Sequence, residues 1–135
     1  MTQNRSHAVM AQRAEPHDSL DDFPTPPWAT RALLTHVLPR AVANYVPHEE
    51  SAWEPACNRG FMLRPLQEWF SVAWGTDIHD YGIGYPQHDF LQPYLPLQRP
   101  TIDPPNWIIT NPPFRLGPSR GGASPCSGHW CSWYC

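Results

Sequence analysis

Proline is the feature that most limits what this chain can fold into. The 135 residues include 18 prolines, which are spread along the sequence and not gathered in one linker. Each proline fixes φ and lacks an N–H, so it interrupts helices and central strands. Long regular elements are therefore restricted to a few windows. A chain of this length can form one domain with one modest core.

The charge of the chain argues against a large nucleic-acid-binding surface. Every basic side chain is Arg, and the net charge is −3. Duplex DNA is bound largely through neutralisation of phosphates by basic groups, so any contact with DNA must be local or come from other parts.

No apolar run approaches the roughly 20 residues that span a bilayer, and the first residues lack a signal-peptide core. We therefore expect a soluble, cytoplasmic protein.

Two windows carry helical spacing. Residues 1–20 are polar and aperiodic, which predicts disorder. Apolar residues between 28 and 46 recur at helical intervals, with a break expected at Pro39, and residues 61–70 form the second window. Apolar runs predict strands at 51–55, 71–77 and 106–110. The first two strands and the helix between them have the size of a mononucleotide-binding unit.

The last residues differ in character from the rest. Residues 117–135 contain no aliphatic side chain beyond Ala and are built from residues typical of out-of-frame translation of a GC-rich gene. We expect a frameshift near residue 117 and an irregular tail. Zinc sites pair ligands closely and separate the pairs by a longer loop, so no metal site is expected, although structural zinc is an open alternative. The soft ligands in the tail are Cys126, His129, Cys131 and Cys135.

The segment Asn111-Pro112-Pro113-Phe114 follows the third predicted strand and carries the strongest chemical signal. The exocyclic amine of adenine is a poor nucleophile, because its lone pair is delocalised into the ring. An Asn111 oxygen and a Pro112 carbonyl can accept its two N–H groups, and these bonds strengthen as positive charge grows on nitrogen. Phe114 can stack on a base flipped out of the duplex. The alternative interpretation is an Asn-Pro turn that ends a strand.

Five segments in a fixed order carry a resemblance to a family. Asn111-Pro112-Pro113-Phe114 is similar to the catalytic motif of S-adenosylmethionine-dependent amino-methyltransferases. Residues 54–60 resemble their cofactor motif, and residues 23–26 resemble the upstream segment that covers the methionine end of the cofactor. Asp77 occupies the place of the ribose-binding acid, and Asp89-Phe90 that of the adenine contact. The order resembles DNA adenine-N6 methyltransferases. By resemblance, the cofactor-binding residues are Phe23, Thr25, Pro26, Glu54, Pro55, Ala56, Gly60, Asp77, Asp89 and Phe90.

The resemblance implies a fold and an activity. It implies an α/β, Rossmann-like methyltransferase core over residues 21–116, with three α/β/α layers, an incomplete sheet and the three predicted strands adjacent. The cofactor would be S-adenosyl-L-methionine, and the substrate would be a flipped adenine in DNA. Because the later elements of the family are missing, we expect an incomplete or inactive copy that is marginally stable unless a partner supplies the missing half. RNA or protein-glutamine methylation, and a non-catalytic fragment, are the alternatives.

Physical reasons and alternatives accompany the cofactor assignments. Gly60 at a strand–helix turn lets the backbone approach a ligand closely. Asp77 lies near the roughly 20-residue separation expected for a ribose-binding acid, and its alternative role is a helix cap at the end of the strand. Glu54 is expected to face the sulfonium and amino end of the cofactor, and its alternative is a solvated turn acid. Asn58 replaces the first Gly of the family motif, and Asn tolerates positive φ better than other residues.

Overall fold

The structure, a computed structural model, describes residues 22–112 and the backbone of residues 129–132. Its centre is a parallel sheet in which β1 (Ser51–Glu54) pairs with β2 (Val72–Gly75) on one side and with β3 (Trp107–Thr110) on the other. β4 (His129–Ser132) pairs parallel with β3, so the order is β2-β1-β3-β4. The three strands predicted from apolar runs are confirmed, with ends shifted by one or two residues.

The helices are shorter than their apolar spacing predicts. The first window contains α1 (Pro27–Ala32), a π-helical turn (Leu33–Val37) and α2 (Leu38–Ala41). The helical segment continues through Pro39, which lies in α2, so the predicted break is wrong. A π turn precedes α2 instead, and the missing N–H of Pro39 removes one hydrogen bond of the helical ladder. α3 (Leu63–Trp69) occupies the second window. A 3-10 turn (Pro47–Glu49) leads into β1.

The π turn, α2 and α3 pack on one face of the sheet. Leu34, Leu38 and Leu66 from the helical segments are buried against Trp107 and Ile109 of β3. This apolar contact arises because alternate residues of each strand point to the same face. Side chains of Trp53, Trp74 and Ile108 form the other face, where Phe90 and Leu95 of the long loop cover them. The described part is therefore mixed α/β, but loop residues stand where the expected α/β/α arrangement has a second helical layer.

The path of the chain creates a reversal point at β1. The connection from β1 through α3 runs to β2 on one side, and the chain then crosses back to β3 on the other side of β1. In open parallel sheets, the carboxyl ends of strands on either side of such a reversal border a crevice that binds ligands. The residues after β1 and β3 thus lie at the edge where a site is expected.

Two sequence-based expectations concern residues at the ends of the chain. The predicted disorder of residues 1–20 lies outside the described residues. Within the segment 117–135, expected to be irregular, the backbone of β4 forms a strand. Among the described residues, no helix combines the length and the apolar character needed to cross a bilayer.

Candidate functional site

Three segments that are distant in sequence meet at the carboxyl edge of the sheet. Asp22 accepts a hydrogen bond from the Asn58 side-chain amide at 2.6 Å and one from the Arg59 guanidinium at 3.0 Å. Thr25 Oγ1 accepts a hydrogen bond from Asn111 Nδ2 at 3.0 Å. Thr25, within the segment 23–26 predicted to cover a cofactor, therefore contacts the first residue after β3, and the preceding residue Asp22 contacts the loop after β1. Sequence proximity could not have indicated these contacts.

The loop after β1 makes the tight turn expected of it. Asn58 has φ 50° and Gly60 has φ 83°, so the two residues most able to adopt positive φ occupy the left-handed positions. The Asn58 side-chain oxygen accepts the Arg59 N–H at 2.6 Å, which stabilises the turn locally. The Gly60 carbonyl accepts the Arg64 N–H at 3.1 Å and leads the chain into α3. Asn58 thus occupies the left-handed position of the turn without a glycine.

Asp77, the acid after β2, holds this loop in place. Its Oδ2 accepts the backbone N–H of Asn58 at 2.8 Å, and its Oδ1 accepts that of His79 at 2.9 Å. Asp77 is 8% exposed. No helix follows Asp77 within the described residues, so the helix-capping alternative is wrong, and the bond to His79 is an Asx-type turn. A carboxylate offers about four acceptor positions, so two remain for hydroxyl groups of a ligand.

Two tyrosines of the following loop reach back over the same turn. A Cβ added to Gly60 would collide with the Tyr85 hydroxyl and lie 3.0 Å from Tyr85 Cζ. The Arg59 guanidinium lies 5.5 Å from the centre of the Tyr81 ring. Burial, followed by the Asp77 charge, raises the pKa of Tyr81. Tyr81, Tyr85 and Asp22 were not predicted to belong to the site. The only sequence signal for the two tyrosines is that each lies next to a glycine in residues 81–85.

Glu54 ends β1 as a buried carboxyl group. It is 3% exposed, and its Oε2 has no hydrogen-bond partner among residues 22–112. Burial, followed by the negative charge of Asp77, raises the pKa of Glu54 well above its ordinary value. Burial, followed by the negative charges of Glu54 and Asp77, raises the pKa of the neighbouring Cys57 thiol. The alternative of a solvated turn acid is therefore wrong for Glu54.

The residues predicted to contact the cofactor's adenine lie on the loop-covered face. Asp89 Oδ1 accepts the backbone N–H of Leu91 at 2.9 Å, which is an Asx-type turn. The Phe90 ring packs edge-on against Trp53 at 5.4 Å, and the His88 ring lies 5.8 Å from Trp53. Burial lowers the pKa of His88. Asp89 therefore shapes the loop, and Phe90 packs on the central strand beside the strand ends.

The other predicted site residues are placed as follows. Phe23 is half-buried, and the Pro26 carbonyl accepts the Ala29 N–H at 3.0 Å at the start of α1. Pro55 is buried and Ala56 is half-buried in the turn after β1. Pro112 is half-buried after β3. Pro113 and Phe114 lie outside the described residues, as do the side chains of the zinc alternative, and no group of three or more His, Cys, Asp or Glu residues suited to a metal occurs within the described part.

No protein-family model, curated protein or solved structure matches the chain. The site therefore has to be interpreted from its own residues. The site brings together buried Glu54 at the end of β1, the positive-φ turn 58–60 and Asp77 after β2. Asn111 and Pro112 follow the end of β3.

Proposed function

We propose that the chain is the cofactor-binding and catalytic core of an S-adenosylmethionine-dependent methyltransferase with a Rossmann-like fold, and that its acceptor is the N6 amine of adenine in DNA. The observation that carries the proposal is the Thr25–Asn111 hydrogen bond together with the Asp22 contacts to Asn58 and Arg59. Segments selected for one shared site by their order in sequence meet at one edge of the sheet. That edge borders the reversal point where ligands bind in parallel sheets.

The orientation of the Asn111 amide suits a reaction at a planar amine. Its Nδ2 donates to Thr25, so its Oδ1 is directed away from that bond and can accept an N–H from the substrate. The Pro112 carbonyl, held by a ring that fixes φ, can accept the second N–H. Both bonds favour the pyramidal amine in which the lone pair is localised. Because they strengthen as positive charge develops on nitrogen, they lower the barrier more than they stabilise bound substrate.

The residues around the turn fit S-adenosylmethionine. Glu54 has a buried oxygen without a partner among the described residues, which suits a ligand with positively charged groups. Asp77 has acceptor positions left for ribose hydroxyls. S-adenosylmethionine would supply the electrophilic methyl group. Glu54, Asp77 and the backbone of the turn would hold it, while Asn111 and Pro112 would orient the amine.

One observation favours a second candidate acceptor, a protein glutamine amide. Four of the five Arg side chains within residues 22–112 are bonded inside the protein: to carboxylates (Arg31, Arg59) or to backbone carbonyls (Arg40, Arg99). Phosphates of DNA would have to compete with these partners. An amide acceptor needs no phosphate contacts and presents the same planar nitrogen to Asn111.

The experiment is a calorimetric titration of the full chain with S-adenosylmethionine, beside two matched variants. Asp77→Asn keeps the size of the side chain but removes an acceptor and the charge, and we expect it to weaken binding at least tenfold. Asp103→Asn makes the same change at an exposed position outside the site and should bind like the wild type. A folded wild-type chain that binds no S-adenosylmethionine would refute the proposal.

Transfer of a labelled methyl group then separates the acceptors. DNA, RNA and a glutamine-containing protein are compared in one assay, with Asn111→Ala as the control for chemistry. We expect transfer to DNA, reduced about 10²–10³-fold in Asn111→Ala, the size of effect seen when one preorganised hydrogen bond to a transition state is removed. Label in protein alone would select the glutamine alternative. Cofactor binding without transfer to any acceptor would indicate a non-catalytic fragment.

A further inference from the structure

The carboxyl group of Glu54 occupies a position that disfavours negative charge. Glu54 ends the central strand and is 3% exposed, so water does not solvate most of the group. Its Oε2 has no hydrogen-bond partner among residues 22–112. An isolated buried carboxylate is costly, and such groups normally remain neutral unless a cation is supplied.

The neighbours of Glu54 offer no compensating cation within the described residues. Asp77, after β2, adds a second negative charge that acts on Glu54, and the Cys57 thiol in the same loop is also within electrostatic reach. Arg59 is the nearest cation along the loop, but its guanidinium donates to Asp22 at 3.0 Å.

Two threonines of the described part carry buried hydroxyl groups. Thr30 of α1 is fully buried and Thr110 of β3 is 1% exposed. Neither hydroxyl oxygen has a hydrogen-bond partner among the described residues. These hydroxyl groups are neutral, so they supply no counter-charge to an ionised Glu54, and the one charged group of the described part that acts on it is the negative Asp77.

We propose that Glu54 carries a proton in the ligand-free protein and releases it to solvent when a cationic cofactor binds, so that binding of S-adenosylmethionine is coupled to the loss of one proton. The inference rests on the proposed function, because it needs that cofactor to bind at this strand end. The positive charge of the ligand replaces the proton as the counter-charge of the carboxylate. No other bond forms or breaks in this step.

The coupling makes cofactor affinity depend on pH. When Glu54 is protonated before binding, one proton must leave per ligand bound, so affinity rises by up to tenfold for each unit of increasing pH. Above the pKa of Glu54 in the free protein, the dependence disappears. A fall in pH would therefore release cofactor without unfolding the protein.

The test is calorimetry of S-adenosylmethionine binding to the full chain in buffers of different ionisation enthalpy, repeated from pH 5.5 to 8. The slope of observed enthalpy against buffer ionisation enthalpy gives the number of protons released. We expect close to one proton at the acid end, declining as pH rises. Glu54→Gln should bind without proton release. Glu49→Gln, the same change at an exposed acid, should release protons as the wild type does.

A second measurement follows the proton without any ligand. Because the pKa of Glu54 is raised in the folded state, the folded protein binds a proton that the unfolded chain has lost. Wild-type stability should therefore fall relative to Glu54→Gln as pH rises above the ordinary carboxyl range, by up to tenfold in the unfolding constant per pH unit, and the two should converge at lower pH.

The outcomes separate the two proposals. Binding to the wild type without proton release, or parallel stability of wild type and Glu54→Gln across this pH range, would overturn the coupling alone. Failure of a folded wild-type chain to bind S-adenosylmethionine would overturn the proposed function, and the coupling with it.

Discussion

A methyl group added at Gly60 tests the arrangement of the turn directly. Gly60 has φ 83°, and an added Cβ would collide with the Tyr85 hydroxyl and approach Tyr85 Cζ to 3.0 Å. Gly82 has a similar φ of 74°, but no atom lies within 4 Å of its added Cβ. The chain therefore contains a matched control in which the same substitution meets the same backbone conformation and no neighbour.

The expected magnitudes follow from these two geometries. Placing an L-residue in the left-handed region costs about 1–2 kcal/mol, and forcing an extra carbon into a packed contact costs about 1–3 kcal/mol more. Gly60→Ala should therefore destabilise the protein by about 2–5 kcal/mol. Gly82→Ala should lose only the backbone part, about 1–2 kcal/mol.

The assay is urea unfolding followed by Trp fluorescence, in a double-variant cycle with Tyr85→Ala. Removing the Tyr85 ring should relieve the collision, so that Gly60→Ala costs no more in that background than Gly82→Ala does in the wild type. The coupling energy should be about 1–3 kcal/mol. Equal losses for Gly60→Ala and Gly82→Ala, with no coupling to Tyr85, would show that the Tyr85 ring does not lie over the turn.

Three further substitutions test the surrounding contacts. Thr25→Val should lower the free energy of unfolding by about 1 kcal/mol, because it removes the hydrogen-bond acceptor for Asn111. A loss of methyl transfer with unchanged S-adenosylmethionine affinity would show that Thr25 positions Asn111. Unchanged unfolding curves and unchanged activity would contradict the contact. Trp107→Ala should cost about 3–5 kcal/mol as a large buried side chain, checked by urea unfolding, and a loss below about 1 kcal/mol would contradict its burial. The hydrogen bond from Asn58, and then that from Arg59, lower the pKa of Asp22, so its contribution is present above the ordinary Asp range and is lost as pH falls through the lowered pKa. The stability difference between Asp22→Asn and wild type should therefore vanish at low pH, and a pH-independent difference would refute this assignment.

The strands of the sheet could be predicted because their signal is local. Apolar runs bounded by Pro, Gly and acidic residues placed β1, β2 and β3 within two residues of their observed ends. The break expected at Pro39 does not occur, because the preceding π turn accommodates the missing N–H and the helix continues to Ala41. The π turn could not be predicted, because apolar spacing does not distinguish a π turn from an α-helix.

The candidate site was predicted in its segments but not in its contacts. Asn58 at positive φ followed from the special tolerance of Asn for that region. The double engagement of Asp77 and the burial of Glu54 depend on how separate segments pack, and sequence separation hides such packing. The packing of the long loop on the second face of the sheet was also not predictable, because Phe90 contacts Trp53 from a loop that has no periodic apolar pattern.

The position of β1 between its neighbours determines the order in which the sheet can form. β1 and β2 lie close in sequence, and residues 21 positions apart bond at their start, whereas Ser51 and Asn106 are 55 positions apart. At a synthesis rate of about 5–20 residues per second, β3 leaves the ribosome roughly two to seven seconds after β2. During that interval one backbone edge of β1 is open to foreign strands. A nascent-chain chaperone that occupies this edge would raise the yield of folded protein without touching the finished molecule.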